Sequence, residues 1–139
     1  MSRARAWTLV SIILAIALAN ACAATRVRTL EEFDEVVLLS EDNALVNFHR
    51  PGCPHCAALA PHWSALEADF HARGTGVTIV DVDCEESREV CARFGVRAVH
   101  TVRFFTAENG EFGDEYGRGR ELTYDALATF CEHRLERVT

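Results

Sequence analysis

Cys53 and Cys56 stand two residues apart in the stretch FHRPGCPHCAALAP, residues 48 to 61, with a proline and a histidine between them. Two thiols at this spacing can close a disulfide with each other, clip a metal, or sit inert as small apolar residues. The flanks discriminate between these fates. An apolar run precedes the pair and a helical stripe follows it, so Cys53 opens a helix, where unpaired backbone amides and the positive end of the dipole favour thiolate over thiol. Cys53 is therefore expected to attack, and Cys56, one turn inside and less exposed, to resolve the mixed disulfide. Pro54 is tolerated because a first-turn residue has no intrahelical hydrogen bond to lose. His55 can donate to the Cys53 thiolate or, when protonated, favour it electrostatically. Such a disulfide is destabilised, and an oxidising potential of roughly −200 to −120 mV is expected. The couple holds its own electrons, so no dissociable cofactor is needed. Most zinc sites built on Cys-x-x-Cys draw on a second pair of ligands, and no second Cys-x-x-Cys occurs. Inert burial is at odds with the turn-forming neighbours Pro51, Gly52 and Pro54.

The elements that position this pair read as alternating strands and helices. VRTLEEFDEVVLLS gives a short extended lead-in and a helix with Leu30, Phe33, Val36 and Val37 at helical spacing. ALVNFH, 44 to 49, and VTIVDVD, 77 to 83, are short apolar runs of the kind that form strands buried on both faces. Between them, Cys56, Leu59, Ala60, Trp63, Leu66 and Phe70 share one helical stripe, with Pro61 expected to kink it. EESREVCARFG predicts a helix stopped by Gly95, VHTVRFFT a strand over 99 to 106, and Asn109-Gly110 a tight hairpin to a partner near Phe112 to Tyr116. A closing helix carries Leu122, Leu127, Phe130, Cys131 and Leu135. The order predicts an α/β chain, a three-layer α/β/α sandwich around a central mixed β-sheet.

With 139 residues and 49% hydrophobic content, one domain with a real core fits and a second does not. The first 23 residues have a basic start, about 13 apolar residues from Trp7 to Ala19, and small residues at Ala19, Ala21 and Ala23. This is the grammar of a cleaved signal peptide, too short to span a bilayer. It assigns 1–23 to a signal peptide, 24–139 to the mature domain, and the mature chain to the oxidising secretory pathway, in the endoplasmic reticulum lumen or secreted, since RLERVT is not a retrieval tetrapeptide. The formal charge is −7, and losing Arg3 and Arg5 with the leader makes it −9. Nucleic acid and anionic membrane are therefore not expected partners. Nothing in the residues specifies an oligomeric state.

LVNFHRPGCPHCAALAPHW resembles the active-site stretch of thioredoxin and protein disulfide isomerase domains, and VDCEESREVCARFGVRAVHTVRFF resembles the strand, helix and strand that follow it. The likeness runs from about Val27 to Arg137, with similarity also to the thioredoxin domain of quiescin sulfhydryl oxidases. It implies a thioredoxin fold and dithiol-disulfide exchange on cysteine-containing client proteins, with Cys53 as nucleophile and Cys56 as resolving thiol. It implies reoxidation by glutathione or a partner oxidase, because no flavin-binding domain accompanies the pair. It also identifies Arg120 with an arginine that can approach the resolving cysteine.

Four positions depart from the family pattern. Asn47 stands where a carboxylate is usually buried, and an amide cannot relay a proton. Gly52 replaces a tryptophan, removing apolar contact surface for substrate, and Ala57 replaces a lysine. His100 occupies the position of the proline whose cis peptide, here Val99-His100, presents backbone to a substrate strand. A cis bond before a residue other than proline costs roughly 2.5–4 kcal/mol, so a trans bond and a reshaped loop are expected. The imidazole then comes within reach of both thiols, which opens a second reading: Cys53, Cys56 and His100 as ligands to zinc or an iron-sulfur cluster. A third is a client-binding module of weak redox activity.

The five cysteines that remain after the leader leave at least one unpaired. Cys84 and Cys91 are the natural second pair and match cysteines of some disulfide isomerase domains. In one regular helix they would lie about 10.5 Å apart, so a bridge requires Cys84 outside the helix; two buried thiols are the alternative. Cys131, on an apolar helix side, reads as an inert thiol. His49, His62, His71 and His133 suggest no shared ligand set.

Overall fold

The computed structural model describes residues 24 to 97 and 100 to 138. The chain runs β1 (Thr25–Val27), α1 (Leu30–Phe33) with a π-helical turn over Asp34–Leu38, β2 (Asn43–His49), α2 (Pro54–Arg73), β3 (Val77–Asp83), α3 (Arg88–Arg93), β4 (Thr101–Phe105), β5 (Asp114–Glu115) and α4 (Tyr124–Val138). The sheet order is β1-β3-β2-β4-β5, with β1, β3 and β2 parallel and β4 and β5 antiparallel. The two apolar runs are thus its centre. Their side chains alternate between two cores. Leu45, Ile79, Val102 and Phe104 pack under α2 and α4 through Leu59, Trp63, Leu66, Phe70, Leu127 and Phe130. On the opposite face Val46, Phe48, Val80 and Val82 pack against Phe33, Val37, Val90 and Phe94. Two helical layers therefore enclose a mixed sheet, the three-layer α/β arrangement read from the sequence. Among the described residues no helix is long and apolar enough to cross a membrane. The leader, residues 1 to 23, and Val99 fall outside the described residues.

Two local features, in the first helix and at the hairpin, differ from the sequence reading. The first helix changes from α to π winding at Asp34, which leaves Val36 half-buried while Phe33 and Val37 enter the core. Helix α2 carries Pro61 inside it, where the sequence placed it. Pro61 and Ala57, whose carbonyl loses its donor there, are both exposed, so water can satisfy it. The hairpin is not tight: β4 ends at Phe105, β5 begins at Asp114, and only Arg103↔Glu115 and Phe104↔Asp114 pair. Asn109 works through its side chain, accepting from Thr106 N–H at 2.9 Å and donating to the Phe104 carbonyl at 2.7 Å. It braces a wide loop where the dipeptide alone suggested a two-residue turn.

Cys84 lies in the turn after β3, its N–H donating to the His49 carbonyl at 2.8 Å, and α3 starts only at Arg88. That turn brings Cys84 and Cys91 to a Cα separation of 5.7 Å, and they are bridged. Closing an eight-residue loop contributes about 2.5 kcal/mol on the chain-entropy model. The double substitution Cys84→Ala with Cys91→Ala is expected to lower the unfolding free energy by about that amount in urea titration, and an unchanged midpoint and slope would show that the bridge carries no stability.

Candidate active site

The turn at Pro51 and Gly52, with Gly52 at φ 75°, carries the chain from β2 to the start of α2. A fixed proline φ followed by a left-handed residue is the pairing type II turns use, which is why glycine suits this place. Cys53 is then the N-cap in extended conformation, with Pro54 in the first turn, and the Cys53 carbonyl accepts from Cys56 N–H at 3.1 Å. Both thiols are free and half-buried. His100, just before β4, the strand paired with β2, completes the site. Its Nε2 lies 2.8 Å from Cys53 Sγ and 3.6 Å from Cys56 Sγ. Its φ is 66°, a left-handed conformation that costs a non-glycine residue roughly 1–2 kcal/mol. Such strain gathers at functional sites, where the surroundings over-determine the backbone.

The two thiols are electrostatically unequal. Burial opposes ionisation of Cys53, but the backbone amide of Cys56, the Cys56 thiol and the backbone amide of His55 outweigh it and hold the Cys53 thiol below its ordinary range. Burial pushes the Cys56 thiol up, and the neighbouring Cys53 adds to the effect; its S–H donates to the Arg50 carbonyl at 3.4 Å. Burial also keeps the His100 imidazole below its ordinary value, with His55 and His49 acting in the same sense. A neutral ring can donate Nε2–H to a Cys53 thiolate.

Beneath Cys56 lies a cavity of about 480 Å³, lined among others by Asn47, His49, Trp63, Glu67 and Asp81. Asn47 and His49 alternate onto the same face of β2, and the parallel register sets Asp81 beside Asn47. Asn47 Nδ2 donates to Asp81 Oδ1 at 3.1 Å, and His49 Nε2 is 3.9 Å from the same oxygen. Asn47 Oδ1 is buried without a protein partner, in a space polar and roomy enough to admit water. Burial raises the Asp81 carboxyl, against the opposing effects of Asn47, His49 and Arg26; burial and the Asp81 charge raise Glu67. Sequence reasoning missed Asp81 and His49. The available signal was a carboxylate flanked by Val80 and Val82 within a mostly apolar strand.

The raised carboxyl has a sign that can be checked. A group with a native value above its unfolded one, about 3.9 for aspartate, adds stability below that pH and loses it as pH rises through the native value. Asp81→Asn keeps the shape and the acceptor for Asn47 without the charge. Its stability relative to the parent is expected to climb from pH 4 to pH 7 in paired thermal melts; a flat or falling difference would contradict the buried charge.

The remaining residues singled out from sequence fall around this centre. The His55 ring is exposed and packs edge-on to His100, with centroids 5.5 Å apart, so it meets Cys53 through its backbone amide. Arg120 rests its guanidinium over the Tyr116 ring, 4.7 Å from the centroid, on a cavity of about 390 Å³ shared with His55 and His100. That stacking holds it on Tyr116, where a cation gains from the ring face. Cys131 is fully buried between α4 and the sheet, its thiol pushed up to about 12 by burial, and is chemically inert there.

The family model described as Thioredoxin matches residues 24–132. Among curated relatives, the chain is 36% identical over 126 residues to Protein disulfide-isomerase-like protein EhSep2 of Emiliania huxleyi, covering 90% of this chain and 55% of that one. It is 34% identical over 125 residues to Protein disulfide-isomerase tigA of Aspergillus niger, covering 89% and 34%. The chain thus spans about half the length or less of these relatives. Its fold is similar to the Trx4 domain of ERdj5, with a TM-score of 0.68, 22% identity, and 83% of this chain and 97% of that one covered. The mixed sheet between two helical layers and the dithiol at a helix N-terminus agree with these matches: the chain belongs to the thioredoxin family and has the thioredoxin fold.

Proposed function

We propose that this chain is a thiol-disulfide oxidoreductase of the protein disulfide isomerase type, acting through its Cys-Pro-His-Cys stretch on cysteine-containing client proteins. The observation that carries the reading is the asymmetry of the pair: Cys53 is held toward thiolate and 2.8 Å from His100 Nε2, while Cys56 is held as thiol. The names of the curated relatives support it.

In the reducing direction, the Cys53 thiolate attacks one sulfur of a client disulfide. A bond forms between Cys53 and that sulfur, and the other client sulfur leaves as thiolate and takes a proton from water. Cys56 then loses its proton and attacks Cys53 Sγ, closing the Cys53–Cys56 disulfide and releasing the second client thiolate. Two electrons pass to the client, and the reverse sequence oxidises one. Reduced glutathione resets the couple after a client is reduced, and glutathione disulfide or a partner oxidase resets it after a client is oxidised; no dissociable cofactor takes part. Asp81 is the acceptor for the Cys56 proton, through the cavity they share, because Asn47 cannot take one. Gly52 and His100 contact the client, with Val99 assigned to the same role from the sequence alone, and Arg120 assists by swinging from Tyr116 toward the dithiol during turnover.

The secretory pathway is the proposed compartment, either the endoplasmic reticulum lumen or outside the cell. The leader composition and the Cys84–Cys91 bridge support it, since disulfides persist in oxidising surroundings. The test is reduction of insulin or reactivation of scrambled ribonuclease against the Cys53→Ser variant. The variant is expected to run at the rate of glutathione alone; equal rates for the two would leave only a client-binding module.

A further inference from the structure

We propose that the reduced chain binds one zinc ion through Cys53 Sγ, Cys56 Sγ and His100 Nε2, and that zinc occupancy withholds both thiols from exchange; the second half rests on the oxidoreductase reading. Among the described residues these three are the group of histidine, cysteine and acidic side chains whose ligand atoms gather for a metal, all within 4.8 Å of one another. Tetrahedral zinc with Zn–S near 2.3 Å and Zn–N near 2.05 Å sets sulfur and nitrogen about 3.5 Å apart. Cys56 Sγ already sits at 3.6 Å from Nε2. Cys53 Sγ, at 2.8 Å, must open by about 0.7 Å to reach the ~3.5 Å of that geometry, a movement open to a half-buried N-cap side chain.

The donor chemistry selects the ion. Two thiolates neutralise a dication, and the third ligand is an imidazole nitrogen, which zinc accepts beside sulfur. Sulfur and imidazole at tetrahedral spacing suit zinc or iron-sulfur chemistry. A cluster takes four protein ligands, whereas zinc accepts three and leaves a fourth position to water or an incoming thiol. Gly52, Pro54 and His55, the chain neighbours of the two thiols, are all exposed. Binding expels the thiol protons and breaks no covalent bond. A Cys53–Cys56 disulfide has no thiolate to offer, so zinc and oxidation compete. At free zinc 100 times its dissociation constant, the ratio of reduced to oxidised chain in a fixed glutathione buffer rises roughly 100-fold.

The experiment titrates chelator-stripped chain with zinc against a chromophoric chelator, in reduced and oxidised forms, beside His100→Asn. Asparagine tolerates the left-handed backbone of position 100, so the variant keeps the loop. One zinc per reduced chain is expected, none per oxidised chain, and at least about a tenfold loss of affinity in the variant. Cobalt in place of zinc gives a second readout on the unaltered chain: thiolate-to-metal absorption that oxidation abolishes. Equal affinity in His100→Asn, or zinc retained by the oxidised chain, overturns the site. Exchange by the stripped chain is scored separately. If stripped chain turns over but binds no zinc, only the metal site falls; if it binds zinc but exchanges no faster than Cys53→Ser, the oxidoreductase reading falls and the site stands.

Discussion

Cys56→Ser is expected to turn the chain into a covalent trap. Cys53 keeps the backbone amides of His55 and residue 56 that favour its thiolate, and its contact with His100, so it still attacks a client disulfide. With no sulfur at position 56 the mixed disulfide has no intramolecular exit, and it should accumulate to nearly one client per chain. Cys53→Ser should trap nothing, because burial holds the remaining Cys56 thiol up. Acid quenching and non-reducing mass spectrometry measure both. Equal trapping by the two variants would show that the thiols are interchangeable and that the asymmetry has no chemical consequence.

The second large effect is expected at Asp81. Positioned proton transfer contributes typically 10²–10⁴-fold, so Asp81→Asn should slow resolution of the mixed disulfide by roughly 10²-fold while leaving the first attack by Cys53 unchanged. Rapid-quench kinetics separates the two steps. The split matters because a merely structural role would slow both or neither. Asp81→Glu, which keeps a carboxyl on the cavity, should recover part of the rate. Unchanged resolution in Asp81→Asn would mean that Cys56 loses its proton to solvent or to Glu67.

What was legible in the sequence follows from how local each signal is. β2 and β3 announce themselves as apolar runs because helices cover both their faces, and Cys53 at a helix start follows from Pro54 and the stripe from Leu59 to Phe70. Asn109-Gly110 misled because the asparagine amide bridges Phe104 and Thr106, a use of the residue that no dipeptide rule contains. The His49 and Asp81 pairing was invisible for a different reason. Taken singly, Asn47 is a lost carboxylate and His49 an ordinary histidine. Only the parallel register of two strands 34 residues apart reveals that a carboxylate has moved one strand over. His100 came into view only by likeness to a family position; its left-handed backbone and its distance to Cys53 are tertiary facts.

The measurement that bears most directly on the central claim is an equilibrium titration of the chain in defined glutathione buffers with metal chelated, the thiols trapped and each cysteine pair read by mass spectrometry. A single reversible two-electron transition of Cys53 and Cys56, with a midpoint between roughly −200 and −120 mV, is the expected result. Cys84 and Cys91 should stay bridged throughout. A Cys53–Cys56 pair that fails to equilibrate, or a transition confined to Cys84 and Cys91, would contradict the account.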